Sequence, residues 1–193
     1  VYADTDDNIF YMSNARLSVR DSLVDWRELI LGDQSSLILD EYHPYEDLPK
    51  MINPTSGYIF NTNNSPFNST AEFENLKEED YNSTFSFMEE ENNRSVRFME
   101  LIDDYEKLSY EDFKDIKYDQ QYPDSILYIG NISQIFDLDK SEFPNYENLI
   151  DLIQKWDRRG DIENIGAAQW SLYYSYMLDV LSENDLSVKD TID

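Results

Sequence analysis

At 193 residues, 40% hydrophobic and 15% aromatic, the chain suits one domain with a buried core and is too apolar to be disordered. Forty-one acids against fifteen Lys and Arg leave a net charge of −26, a field that suits a well-solvated surface and repels phosphate backbones, which argues against nucleic-acid binding. Without cysteine there is no disulfide, thiol nucleophile or cysteine-bound metal, and no apolar run is long enough to span a bilayer.

Val1–Ala3 and Ile9–Met12 flank the polar cluster Asp4-Thr5-Asp6-Asp7-Asn8 and predict a β-hairpin. That cluster lacks the spacing and the closing Glu of a calcium loop. Residues 13–50 are expected to be irregular, with Trp26 and Leu29-Ile30-Leu31 as anchors. His43, the only histidine, has no nucleophile at motif spacing and is expected on the surface or in an aromatic cluster.

Asn53-Pro54-Thr55-Ser56-Gly57-Tyr58-Ile59-Phe60-Asn61-Thr62-Asn63-Asn64-Ser65-Pro66 is the most informative stretch. A proline turn and Gly57 lead into Tyr58-Ile59-Phe60, long enough for one buried strand. Three asparagines and a serine then fall within five residues. Neutral carboxamides donate hydrogen bonds without charge, as a developing oxyanion requires, and they are costly to bury unpaired.

Residues 67–90 are polar and are expected to form a loop or a loosely ordered insertion. Sequons at Asn68, Asn82, Asn93 and Asn131 are explained by the abundance of asparagine. From Asn92 the chain reads as helical. Val96, Met99, Leu101, Ile102 and Tyr105 form an apolar face behind Arg94 and Arg97, and Ser109-Tyr110-Glu111-Asp112 is a capping box that opens a helix carrying Phe113 and Ile116. A helix is predicted at about 124–136 with Ile126, Leu127, Ile129 and Ile132. Another is predicted from Phe143-Pro144, burying Leu149, Ile150, Leu152, Ile153 and Trp156. The last is an aromatic helix, Ile165–Leu181, whose Trp170, Tyr173, Tyr174 and Met177 are core residues. The implied organisation is a β-containing part at 1–66, a loop at 67–91, a helical part at 92–182 and an acidic tail at 183–193. No Ser-His-Asp set, phosphate-binding glycine loop or metal-spaced cluster is present. The residues by themselves lead to an acidic α+β chain of unassigned function.

Several segments carry a resemblance. Residues 53–66 resemble the β-chain signature of penicillin acylases, approximately N-P-x-S-G-[YF]-[IV]-x-N-x-N-N-x-P. Tyr2–Tyr11 is similar to that family's Y-A-D-x-x-G-N-I-x-Y hairpin, with Asp7 where the family often has Gly. Residues 93–101, 109–119 and 152–157 followed by Gly166-Ala167-Ala168 resemble three later landmarks in the same order. The resemblance implies an internal piece of an N-terminal nucleophile hydrolase of αββα fold, periplasmic or secreted, that hydrolyses a linear N-acyl amide. In such enzymes an N-terminal serine attacks, its own α-amino group (pKa about 8) acts as base through a water, and an acyl-enzyme forms. No cofactor enters that chemistry. By motif position Asn63 matches the oxyanion-hole asparagine and Arg94 the arginine that supports the active site. The serine and most of the acyl pocket are expected outside this chain, in the remaining acylase segments. A structural calcium ion is also implied, with Glu72 or Glu74 the nearest carboxylates. The alternative of a different class is a catalytically inert acidic helical module, derived from an acylase and binding a basic partner or cations.

Overall fold

The structure, a computed structural model, describes residues 1–26, 28–85, 87, 91–127 and 133–183. The class is α+β, and the chain divides into two compact units, Val1–Glu90 and Glu91–Asp193.

The first unit is built on an antiparallel sheet of three strands, β1 (Tyr2–Ala3), β2 (Ile9–Met12) and β3 (Lys50–Ile52), in that spatial order. The expected hairpin is β1–β2, and its turn is organised by one side chain. Asp4 Oδ1 accepts from the backbone N–H groups of Asp6 and Asn8, each at 2.9 Å. Within the turn Asp7 has φ 62°, the left-handed region, which explains why glycine suits this position in the resembled motif. Tyr11 pairs with Met51, and both are buried on the core face. Tyr2, Phe10 and Ile52 form the next row in register, and there Tyr2 and Ile52 remain 55% and 66% exposed.

Asn53 extends the β2–β3 ladder by one residue. Its N–H donates to Ile9 O at 3.0 Å, and its side-chain Oδ1 accepts from Ile9 N–H at 2.8 Å, as a strand carbonyl would. Its Nδ2 donates to Asn8 Oδ1 at 2.9 Å. A φ of 47° turns the backbone away while the side chain completes the pairing. A left-handed residue costs roughly 1–2 kcal/mol, least for residues such as Asn that can bond locally.

The motif strand is therefore β3, upstream of the expected one. Tyr58–Phe60 joins no ladder, because Asn53 and the turn after it take the chain off the sheet. Phe60 is nevertheless buried. Residues 13–50 are mostly irregular but are closed by a bridge between Ser18 and Tyr42. Leu29 and Leu31 are exposed rather than anchoring, and the buried residues of this stretch, among those described, are Leu48 and Pro49. His43 belongs to an aromatic cluster, meeting Phe85 edge-on at 4.6 Å, with its Nδ1 3.3 Å from an Asp47 oxygen.

The second unit carries α1 (Asn93–Ile102), α2 (Tyr110–Lys117), α3 (Glu147–Gln154) and α4 (Ile165–Glu183). Asn92 caps α1, its side chain accepting from the N–H groups of Arg94 and Ser95, while Ser95 Oγ accepts from Asn92 N–H. The predicted capping box at Ser109 and Asp112 is present at the start of α2 in both directions. The core gathers Ile126, Ile153, Trp156 and Trp170, with Tyr122, Phe136, Tyr173 and Tyr174 packed around them. Trp156 and Trp170 stack at 5.5 Å, and Trp156 Nε1 donates to Arg159 O at 3.0 Å.

Four expectations for this unit change. Helix α1 ends at Ile102, so Tyr105 lies beyond it. Residues 124–127 are not helical; 128–132, with Ile129 and Ile132, lie outside the described residues, and Ser133–Asp137 is a 3-10 turn. Helix α3 starts at Glu147 instead of Phe143. Its buried seam is Ile150, Ile153 and Trp156, spaced by three, whereas Leu149 and Leu152 face outward by more than a third of their surface.

Candidate functional site

The stretch from Asn53 to Asn75 is two segments folded on each other, residues 53–65 against 65–75. Gly57 closes the first turn by donating to Pro54 O at 3.0 Å and takes φ 78°, which a side chain would strain. Glu74 holds this turn from outside. One of its carboxylate oxygens accepts from Thr55 N–H and Thr55 Oγ1, both at 2.6 Å, and the other accepts from Ser56 N–H at 2.7 Å. The hydrogen bond from the Thr55 hydroxyl and those from the two amides hold the carboxyl far below its usual range, at about 2.

Thr70, fully buried, connects the turn to the segment after it. Its hydroxyl donates to Tyr58 O at 2.8 Å, so at 2.8 Å from Ser56 Oγ it is the acceptor. Phe60 N–H donates to Ser69 O at 2.9 Å. Asn75 Oδ1 accepts from the N–H groups of Ser69 and Thr70 at 2.9 and 3.1 Å. Residues 67–75 are thus a loop closely hydrogen-bonded to the motif, the first of the two expected forms. Thr70, the hydroxyl residue of the Asn68 sequon, and Ser69 beside it are buried in this packing.

The three asparagines after Phe60 have separate roles. Asn64 is buried, its Oδ1 accepting from Thr62 N–H at 2.7 Å while its Nδ2 donates to the carbonyls of Ser65 and Asn68. Asn61 Oδ1 accepts from Asn63 N–H at 3.2 Å. Asn63 stands between them with φ 65° and an exposed side chain. The N–H groups of Thr62 and Asn63 are both bound by neighbouring carboxamides, and Asn63 itself is exposed.

Arg94 is exposed in the first turn of α1 and belongs to the other unit. A cation there stands at the positive end of the helix dipole, and no acidic residue shares that turn. Arg97, three residues on, is the arginine that ties the unit together. It pairs with Asp119 at 2.8 Å and Glu100 at 3.0 Å, which raises its pKa further, chiefly through the Asp119 hydrogen bond.

Glu72 is exposed, and Glu74 is engaged by the turn. Among the described residues no group of three or more His, Asp or Glu side chains is placed to hold a metal ion. Two residues of this site were missed in the sequence, Glu74 as a turn acceptor and Asn53 as a ladder residue. The repeated Asn8/Asn53 pairing, 45 residues apart, has no local signal.

The family model of penicillin amidase matches residues 1–192. The chain belongs to the penicillin amidase family. Membership points to an acylase that hydrolyses amides. The matched span of this penicillin amidase chain includes the Asn53–Pro66 motif.

The Glu74 carboxylate gives the motif a pH dependence. Its pKa falls from 4.5 to about 2 on folding, so the stabilisation is complete above about pH 4.5 and is lost as pH falls toward about 2. We expect urea midpoints of the wild-type chain to drop across that window, with Glu74→Gln lacking this component. Parallel curves for the two proteins would contradict it.

Proposed function

We propose that this chain supplies Asn63 as one of two oxyanion donors to an acylase that cleaves a linear N-acyl amide. The N-terminal serine of that enzyme lies in a segment outside these 193 residues. Its hydroxyl adds to the amide carbonyl as the free α-amino group takes the proton through a water. Negative charge then develops on the carbonyl oxygen. Asn63 Nδ2 and a backbone N–H donate to it, the amine leaves with a proton, and water releases the acid from the acyl-serine.

The observation that carries this reading is the division of labour among the asparagines. Asn64 is buried and bound within the loop, whereas Asn63 is exposed with its own N–H and that of Thr62 held by neighbouring carboxamides. Neutral donors held in place before the reaction stabilise developing charge best.

The remaining acylase segments are the chain's partners, and together they complete an αββα sandwich. The exposed apolar row Tyr2 and Ile52, and the open edges of a three-stranded sheet, favour such a neighbour. The acylase acts in the periplasm or outside the cell, in keeping with its family; no helix among the described residues is long and apolar enough to cross a membrane.

The test compares the full acylase with the isolated chain on phenylacetyl- and long-chain acyl-amides. The full enzyme should release acid and amine, and the 193-residue chain should release neither. Turnover by the isolated chain would refute the external nucleophile.

A further inference from the structure

We infer that Glu74 is a positioning residue for the oxyanion donor, acting as a hydrogen-bond clamp on the turn that leads into Asn63. This rests on the oxyanion reading of Asn63. The resemblance offered Glu74 as a calcium carboxylate, but its surroundings are those of a backbone acceptor. Both of its oxygens are occupied by the N–H and hydroxyl of Thr55 and the N–H of Ser56, at 2.6 to 2.7 Å. Donors gathered around a carboxylate are the opposite of a cation's ligand shell, which needs oxygens. No other His, Asp or Glu side chains join Glu74 in a metal-binding group among the described residues.

The clamp reaches Asn63 through a short bonded path. Thr55 and Ser56 are fixed to Glu74, and Ser56 Oγ donates to Thr70, which donates to Tyr58 O. Asn75, next in sequence to Glu74, holds Ser69 and Thr70, and Ser69 O receives Phe60 N–H. The adjacent pair Glu74-Asn75 thus grips the motif at its turn and at Phe60, three residues before Asn63. A carboxylate can accept from both amides of the turn, whereas a glutamine would set its NH2 against one of them. The expected consequence is a displaced Asn63 amide with the substrate site otherwise intact.

The experiment is steady-state kinetics of Glu74→Gln, Asn63→Ala and the double variant in the full acylase. Displacement by about 1 Å can cost up to on the order of 100-fold, so Glu74→Gln should lower kcat by roughly 10- to 100-fold with KM little changed. It should add little to Asn63→Ala, because both act through one donor. Glu74→Asp, which keeps the carboxylate, should recover part of kcat. If Glu74→Gln does not fold, Thr55→Val removes one donor from the clamp and should show a smaller loss of the same kind. Unchanged kcat in Glu74→Gln beside a large loss in Asn63→Ala would overturn the clamp alone. Unchanged kcat in Asn63→Ala would overturn the oxyanion reading itself. A wild-type enzyme whose kcat falls to the Glu74→Gln level in EDTA and returns with Ca2+ would overturn the clamp in favour of a metal ligand.

Discussion

In the full acylase, Asn63→Ala should lower kcat by about 10²- to 10³-fold while KM stays near its wild-type value. The size is that of removing one oxyanion donor, about 2.7–4 kcal/mol of transition-state stabilisation. The donor engages charge that exists only after the serine has added, so ground-state binding is spared. One complication has a structural origin, since Asn63 has φ 65° and alanine is strained there. Asn63→Gly separates the two effects, because glycine accepts that backbone and still lacks the amide. Glycine should lose kcat as severely as alanine. Asn63→Asp, which also tolerates the backbone, should do no better, since it sets a carboxylate against the oxyanion. A change confined to KM in all three would remove Asn63 from this role.

The largest expected loss of stability is at Trp156. Its ring packs against Tyr122 at 5.4 Å and Trp170 at 5.5 Å, and Phe136 lies 6.4 Å away. Replacing such a ring by a methyl group removes its buried surface and leaves a cavity, which costs about 3–5 kcal/mol. Urea denaturation of Trp156→Ala should show a loss of that order, and less than about 1 kcal/mol would mean that the core is organised elsewhere. Gly166 tests the same contact from the other side. A Cβ at Gly166 would lie 2.4 Å from Trp156 Cδ1 and 2.8 Å from Trp156 Cβ, so Gly166→Ala should cost about 1–3 kcal/mol through overpacking. In the double variant the ring is gone but the Trp156 Cβ remains. The combined loss should fall below the sum of the two single losses. Strict additivity would show that the collision is absorbed without involving Trp156.

Local patterns were legible where neighbouring residues decide the outcome. The β1–β2 turn follows from Asp4 and Asn8, the start of α2 from Ser109 and Asp112, and the buried aromatic side of α4 from the spacing of Trp170, Tyr173 and Tyr174. The same reasoning misplaced the motif strand. Tyr58-Ile59-Phe60 has strand propensity, yet Tyr58 O goes to Thr70, 12 residues on, and Phe60 N–H to Ser69 O rather than to a strand. Leu149 and Leu152 match the helical period equally well, but the seam that Ile126 and Trp170 fill belongs to Ile150, Ile153 and Trp156.

The sequence by itself determined the α+β class, the acidic surface, the family and the Asn-rich motif that resembles the family's signature. Composition and short spacings carry those properties. Only the tertiary structure showed that Asn64 is buried and bound within the loop while Asn61 and Asn63 are exposed. It also gave Glu74 to the turn at Thr55, a partner 19 residues away. Hydrogen-bond partners at that distance are set by how the chain folds back, and no local preference records them.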